Sequence, residues 1–283
     1  MYPTLRRLGQ LRSIPKKQVN LRPILFAVCF SILATTSTLR AGGDLNLVVP
    51  SSIPFSVGEQ IDYHVLFGII PAGKAQLAVV NMDTVNGQLT YHAVSTARSA
   101  KAYDLVFKVR DSVETWFDAD SVYSHFYRKR LREGPYRDEK TVRFDLRNER
   151  VLWWDDGVEM APLSVPPRVQ DVLSAGYKVR TLPLTVGDTL AILTHDVNKT
   201  YELLVIVHNR EKVQTELGTY DCLKVEPVLR SGGIFKKERG ARVFVWVTDD
   251  DQRIPVKMQS KVSFGSITAT IAAYRPGARQ AMK

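Results

Sequence analysis

The strictest constraint in this sequence is an alternation of period two that recurs along most of its length. In Gln60–Phe67 the residues Ile61, Tyr63, Val65 and Phe67 share one face, and Gln60, Asp62 and His64 the other. Near the C-terminus, Ile254, Val256, Met258, Val262 and Phe264 alternate with Pro255, Lys257, Gln259, Lys261 and Ser263. Ile267, Ala269, Ile271 and Ala273 continue the pattern after a Gly265-Ser266 turn. Strands of this kind must bury one face and wet the other, so the pattern selects antiparallel sheet. Val243–Val247 differs, with Val243, Val245 and Val247 on one side and Phe244 and Trp246 on the other. That strand is expected to be covered on both faces, or to line a cavity with its second face.

Turn chemistry supports the same reading. Asn86-Gly87 separates Ala75–Asp83 from Gln88–Ala97, a hairpin signal because both turn positions favour positive φ. Asp156-Gly157 follows VLWW, and Val197-Asn198-Lys199 is expected to turn Thr189–His195 into Tyr201–Val207. Helical spacing is confined to Pro166–Leu182, with Val169, Val172, Leu173 and Tyr177 on one face, and to a shorter stretch, Ser99–Phe107. The expected fold is mainly β: a strongly curved antiparallel sheet or incomplete β-barrel of ten to thirteen strands, with one or two short helices packed on its concave face. A single domain spans 55–275, after a linker over 44–54 and before a tail over 276–283.

The first 43 residues carry seven basic and no acidic residues around the apolar run Pro23–Leu39. A basic start, an apolar centre and small residues at Ala41-Gly42-Gly43 predict a secretory signal peptide, cleaved after Ser37 or Gly43. The alternative is an uncleaved inner-membrane anchor, since a run of about 17 residues sits at the lower limit for a span. Arg6-Arg7 lies too far before the apolar run for a twin-arginine signal, and Cys29 lies inside the run, against a lipoprotein. The expected address is the periplasm or the outer membrane, with no stable membrane span after cleavage. Setting the leader apart reduces the net charge of +10 to about +3, which removes the basic field a nucleic-acid binder needs. Cys222 is then the single cysteine, so no internal disulfide forms; its setting, CLKVEPVL, predicts a small buried hydrophobe.

Catalytic patterns are absent from the sequence. The five histidines (His64, His92, His125, His195, His208) stand singly, and there is no HExxH, GxSxG or phosphate-binding glycine motif. Asp249-Asp250-Asp251 lacks the spaced oxygens of a calcium loop and reads as a hairpin tip. Of the acids Asp111, Glu114, Asp118 and Asp120, Asp111 faces away from Glu114 and Asp118, so no carboxylate pair emerges. No enzyme activity, cofactor or metal is expected. Two binding features remain. Arg128, Arg130 and Arg132 alternate along one strand face, where they meet either an anionic partner or nearby acids such as Asp138 and Glu139. Aromatic residues, Phe244 and Trp246 among them, either line an apolar pocket or fill the core.

The segments FSVGEQIDYHVLFGIIPAGKAQL (55–77), VRDSVETWFD (109–118), VQDVLSAGYKVRTLPLTVGD (169–188), TELGTYDCLKVEP (215–227) and the terminal strands stand in the order of an exported bacterial family. By them the chain resembles the domain of unknown function DUF3108. In the helix segment that family usually has a proline after the aspartate, where this chain has Val172. The resemblance implies export and a β-rich fold and supplies no site. At fold level the pattern is also similar to periplasmic lipoprotein carriers, incomplete barrels with an apolar hollow. Likeness of architecture does not transfer function, but export, long amphipathic strands, one inserted helix and the lack of a catalytic set make the expected partner a lipid or other amphiphile held in the curved sheet; the alternative is an envelope assembly protein with a filled core and an outer partner surface. A hollow of several hundred Å³ is the expected mark of the carrier.

Overall fold

Alternation becomes strand almost wherever it was read. The computed structural model describes residues 53–278, apart from 106, 231–241, 263 and 264. The expected signal peptide, most of the linker, Ser263, Phe264 and the last tail residues lie outside the described residues. The first half of the chain forms β1 (Gln60–Phe67), β2 (Ile70–Val85), β3 (Gln88–Ser99), β4 (Arg110–Asp118), β5 (Ser124–Glu133), β6 (Tyr136–Asp145), β7 (Arg150–Asp155), β8 (Val158–Glu159) and β9 (Leu163–Ser164). Helix α1 (Val172–Arg180) follows. The second half forms β10 (Thr189–Asp196), β11 (Lys199–Thr215), β12 (Gly218–Arg230), β13 (Arg242–Thr248), β14 (Pro255–Val262) and β15 (Gly265–Arg275).

Among the described residues these fifteen strands make one antiparallel sheet, running β10 to β15, then β1 to β8, with β9 beside β7. That exceeds the thirteen strands expected, because β8 and β9 are two-residue strands too short to show a period. The β15–β1 pairing joins two meanders, so the open seam falls where α1 interrupts the strands. Six pairings carry a register shift, at Asp62/Tyr63, Val65/Leu66, Val79/Asn81, Trp116/Phe117, Val207/Asn209 and Trp246/Val247. Each shift bends its strand and increases the local twist, which accounts for the curl of so broad a sheet. Gly73 permits one tight crossing: a Cβ there would sit 2.2 Å from the Arg98 carbonyl oxygen across the β2–β3 ladder.

The seam is stitched by the residues before the helix. Ser124 N–H donates to the Val169 carbonyl at 3.1 Å, Gln170 N–H to Leu193, and His195 N–H to Gln170 at 2.7 Å. Val197 and Leu193 pack against Val142, Phe144, Val151 and Trp153, so the two ends of the sheet share a core. Pro166–Gln170 is thus non-helical where helix was expected, turning at Pro167-Arg168 with Arg168 at φ 56° before Gln170 pairs across the seam, and α1 starts at Val172. The second expected helix, Ser99–Phe107, is reduced to a single 3-10 turn at Lys101–Tyr103, because Ser99 belongs to β3 and Asp104 is held by Arg110 at 2.5 Å. The final hairpin also differs in detail: Val262 pairs with Gly265, and Gly265-Ser266 opens β15 rather than forming the turn. Among the described residues no helix is long and apolar enough to cross a membrane.

Candidate functional site: a cavity under the helix

Helix α1 lies across the concave face of the sheet and is fixed at both ends. At its start, Asp171 accepts from the Leu173 and Ser174 amides at 2.8 and 2.9 Å, and Ser174 returns a capping-box contact to the Asp171 amide. The same carboxylate accepts from Thr115 of β4 and Ser124 of β5. Burial pushes its pKa up, and those donors pull it back. At the other end Arg180 donates to Glu59 at 2.6 and 2.9 Å and to the carbonyls of Gln252 and Pro54. Both side chains of this ion pair are 3% exposed. Burial would lower the Arg180 pKa, but the Glu59 bonds and charge raise it overall.

Between these anchors the helix does not fill the space beneath it. Ala175 and Val179 pack on Ile192, Leu203, Val205 and Val225, while Tyr177 packs on Phe55, Phe117 and Val122. What remains is a cavity of about 190 Å³. It is smaller than the several hundred Å³ expected, because the helix occupies most of the hollow, yet larger than the ~150 Å³ apolar cavity known to take up benzene. One wall is a row of cross-strand neighbours: Val65 faces Ala269, Ala269 faces Met258, Met258 faces Val245, and Val245 faces Val225. Leu77, Val113 and Tyr127 continue the wall on the other side of β1, and Val172, Leu173 and Gly176 close it from the helix.

Gly176 is the telling residue. It sits mid-helix, where glycine costs roughly 0.5–1 kcal/mol relative to alanine. A Cβ added there would meet nothing within 4 Å, so packing does not require the glycine. The residue is exposed, and its effect is to leave that open stretch of the cavity wall without a side chain.

The site residues expected from sequence stand elsewhere. Phe244 and Trp246 do not line the cavity; Val245 and Val247 of the same strand do. On the convex face, Trp246 falls in the cross-strand row Lys224, Trp246, Lys257, Thr270, His64. The Lys224 and Lys257 ammonium groups lie 5.1 and 4.5 Å from its ring centre, and its indole N–H donates to Glu211. Lys224 and Arg242 cover Phe244 at 4.8 and 4.7 Å. Alternation alone could not say which side of β13 faced inward, since both sides are apolar.

Arg128, Arg130 and Arg132 do share the convex face of β5, opposite buried Tyr127, Lys129 and Leu131. Arg128 grips Glu114 at 2.9 Å through both carboxylate oxygens, and Arg130 reaches Glu139 at 3.0 Å and Glu114 at 3.6 Å. Asp138, named beforehand as a partner, binds Lys140 instead at 2.8 Å. Arg132 is exposed. His92 completes this cluster, stacked on Trp116 at 3.9 Å. Among the described residues no group of three or more His, Cys, Asp or Glu is placed to hold a metal. Asp249–Asp251 forms a hairpin tip in which Asp250 accepts from the Gln252 and Arg253 amides and Asp249 pairs with Arg210. Cys222 is buried, and burial with nearby carboxylates pushes its thiol pKa up to about 12.

A family model, "protein of unknown function (DUF3108)", matches residues 62–272. The chain belongs to this family. No curated protein matches it. Among solved structures, a β-barrel-like protein of the domain of unknown function DUF1849 from Brucella abortus has a TM-score of 0.49 and 10% identity, over 82% of this chain and 99% of that one. A proposed lipoprotein from Parabacteroides distasonis has a TM-score of 0.35 and 10% identity, over 79% and 98%. A proposed exported protein of YmcC-like fold from Bacteroides fragilis has 0.33 and 13%, again over 79% and 98%. The DUF3108 match covers the whole cavity wall, from β1 to β15.

Proposed function

We propose that this DUF3108 protein is a non-enzymatic, exported carrier that holds one apolar tail of an amphiphile between α1 and the concave sheet. The observation that carries the reading is the apolar cavity with Gly176 in its helical wall. A glycine that weakens a helix, at a point where a side chain would meet no atom, is accounted for by the need for space. The volume suits a single chain rather than a two-tailed lipid. Burial of the tail supplies the affinity, at about 25 cal/mol per Å² of apolar surface.

The test is to fill the space. Gly176→Leu places its side chain in the cavity and improves helix propensity, so the variant is expected to fold at least as stably as the parent. Protein purified from its own envelope should carry a co-purified amphiphile in native mass spectra, and a fluorescent fatty acyl probe should bind it. In Gly176→Leu the bound species should vanish and probe affinity should fall at least about tenfold, the loss of roughly two buried methylenes. A variant that folds and binds the probe as before would remove the carrier reading. If the parent holds no ligand, and a single protein crosslinks in cells through the Arg128–Arg132 face, an envelope assembly role takes its place.

A further inference from the structure

Exposed apolar side chains gather at one end of the sheet. Among the described residues Ile69 and Leu105 are the most exposed large hydrophobic side chains, at 93% and 95%, and Ile70, Tyr103 and Tyr136 are exposed as well. Ile69 and Ile70 form the β1–β2 tip, Tyr103 and Leu105 belong to the connection from β3 to β4, and Tyr136 opens β6 after the β5–β6 turn. The Ala100 amide donates to the Ala72 carbonyl at 2.9 Å, and the Gly134 amide to the Lys108 carbonyl at 2.8 Å, so the three successive tips are tied side by side. The β3–β4 connection sends Phe107 into the core but leaves Leu105 in water. Packing accounts for the first and not for the second.

Charge around these tips is one-sided. Residues 66–74, 98–110 and 132–137 hold seven cations against two acids, Asp104 and Glu133. Asp104 is held by Arg110 at 2.5 Å, and Glu133, with its pKa raised to about 7, offsets little at neutral pH. Lys101 and Lys108 are exposed on either side of Leu105, and the exposed Arg137 donates to the Gly134 and Tyr136 carbonyls. Just behind the first tip, Lys74 and Arg98 stand directly opposite each other on β2 and β3. Like charges so placed weaken a strand pairing unless an anion lies over them. The basic patch ends at the next tip along, where Asp155, Asp156 and Glu159 flank the exposed Val158.

An anionic lipid surface is the partner this order of groups fits. Aliphatic tips reach the acyl boundary, tyrosines suit the headgroup level, and cations behind them meet phosphates. A protein interface would instead gather its apolar residues into one packed centre that excludes water, and three separate tips present no such centre. We propose that the end of the sheet formed by the β1–β2 tip, the β3–β4 connection and the β5–β6 turn docks on an anionic bilayer, with Ile69 and Leu105 inserted and Lys101 and Lys108 on the headgroups. Docking of this kind needs nothing in the cavity and stands apart from the carrier reading.

Flotation of the protein purified from its own envelope with vesicles of phosphatidylglycerol, or of phosphatidylcholine, tests the docking. The protein is expected to bind phosphatidylglycerol at least about tenfold tighter, and high salt should erase the difference. Ile69→Ser combined with Leu105→Ser should weaken binding to phosphatidylglycerol at least about tenfold, since two inserted side chains are lost. Lys101→Glu combined with Lys108→Glu should weaken it by at least about as much. All four positions are exposed, so both double variants should keep the parent's melting temperature and its binding of the acyl probe. Equal binding to the two lipids would overturn the docking. So would binding that survives both double variants, as an N-terminal anchor would give. A dimer that Ile69→Ser with Leu105→Ser dissolves, with vesicle binding unchanged, would assign this end of the sheet to a second copy of the chain instead. In each of these cases acyl-probe binding would leave the carrier reading standing.

Discussion

At the scale of single residues, the least expected feature is a carboxyl pair that neither strand announces alone. Asp111 of β4 and Glu133 at the end of β5 lie together on the inward-facing side of the sheet, with the Arg132 amide donating to Asp111 at 2.8 Å. Burial first, and the nearby Asp111 carboxylate second, raise the Glu133 pKa to about 7. Burial also raises the Asp111 pKa, so both carboxyls are harder to ionise here than in the unfolded chain. Between the ordinary glutamate value and about 7 the folded protein binds more protons than the unfolded chain. Stability is therefore fully present below that window and falls as pH rises through it, by up to about 3 kcal/mol. Glu133→Gln should flatten this decline and unfold at higher urea than the parent at pH 8, with little difference at pH 4.5. Parallel pH profiles for the two proteins would show that Glu133 is not held protonated by its surroundings. The sequence placed Asp111 correctly on the opposite face from Glu114, but its partner comes from another strand, and register between strands is not written in either one.

At the scale of elements, α1 shows where periodicity stops being informative. The spacing of Val169, Val172, Leu173 and Tyr177 located the helix, yet Val169 and Gln170 are extended because the open seam needs backbone partners for Ser124, Leu193 and His195. Such a demand is tertiary, and no local pattern records it. The cap is local, and it gives two contrasting predictions. Asp171→Ala removes the acceptor of two helix amides and of the buried Thr115 and Ser124 hydroxyls, and should cost about 2–4 kcal/mol in denaturant unfolding. Val172→Pro should cost less than about 1 kcal/mol. Position 172 is the first helical residue, whose amide has no acceptor within the helix, and Asp171 at φ −84°, ψ 177° already has the extended conformation proline demands of its predecessor. A large loss in Val172→Pro would mean that the helix start is held otherwise. The departure from the family's usual proline is thereby physically neutral. Hairpins were the most legible elements, with Asn86-Gly87 taking φ of 53° and 77° at its turn as its residue types favour. The cavity wall was the least legible, since β13 is apolar on both sides and the choice of Val245 over Trp246 depends on the lysines of its neighbours.

At the scale of the whole molecule, one residue closes the assembly that the meanders leave open. Arg180 stands at the end of α1, and its partner Glu59 is 121 positions away, just before β1. The Gln252 carbonyl in the β13–β14 turn is 72 positions in the other direction, and the Phe55 ring lies 5.3 Å from the guanidinium. The guanidinium thus joins the chain before the first strand, the helix in the seam and a hairpin near the end of the fold. Its planar fork suits this role, because five fixed N–H groups can serve a carboxylate and two carbonyls at once, as a lysine cannot. The energetics of the pair are asymmetric. Taking both charges from water costs nearly what their attraction returns, so the bridge adds little net stability, whereas removing one partner strands the other in an apolar interior. Arg180→Met should therefore lose about 3–5 kcal/mol in urea unfolding. Adding Glu59→Gln to that variant should restore more than half of the loss, because the stranded charge is gone while most of the packing is kept. A double variant as unstable as Arg180→Met would place the contribution of Arg180 in its bonds to the Gln252 and Pro54 carbonyls, and the closure of the fold would then rest on backbone anchoring rather than on charge.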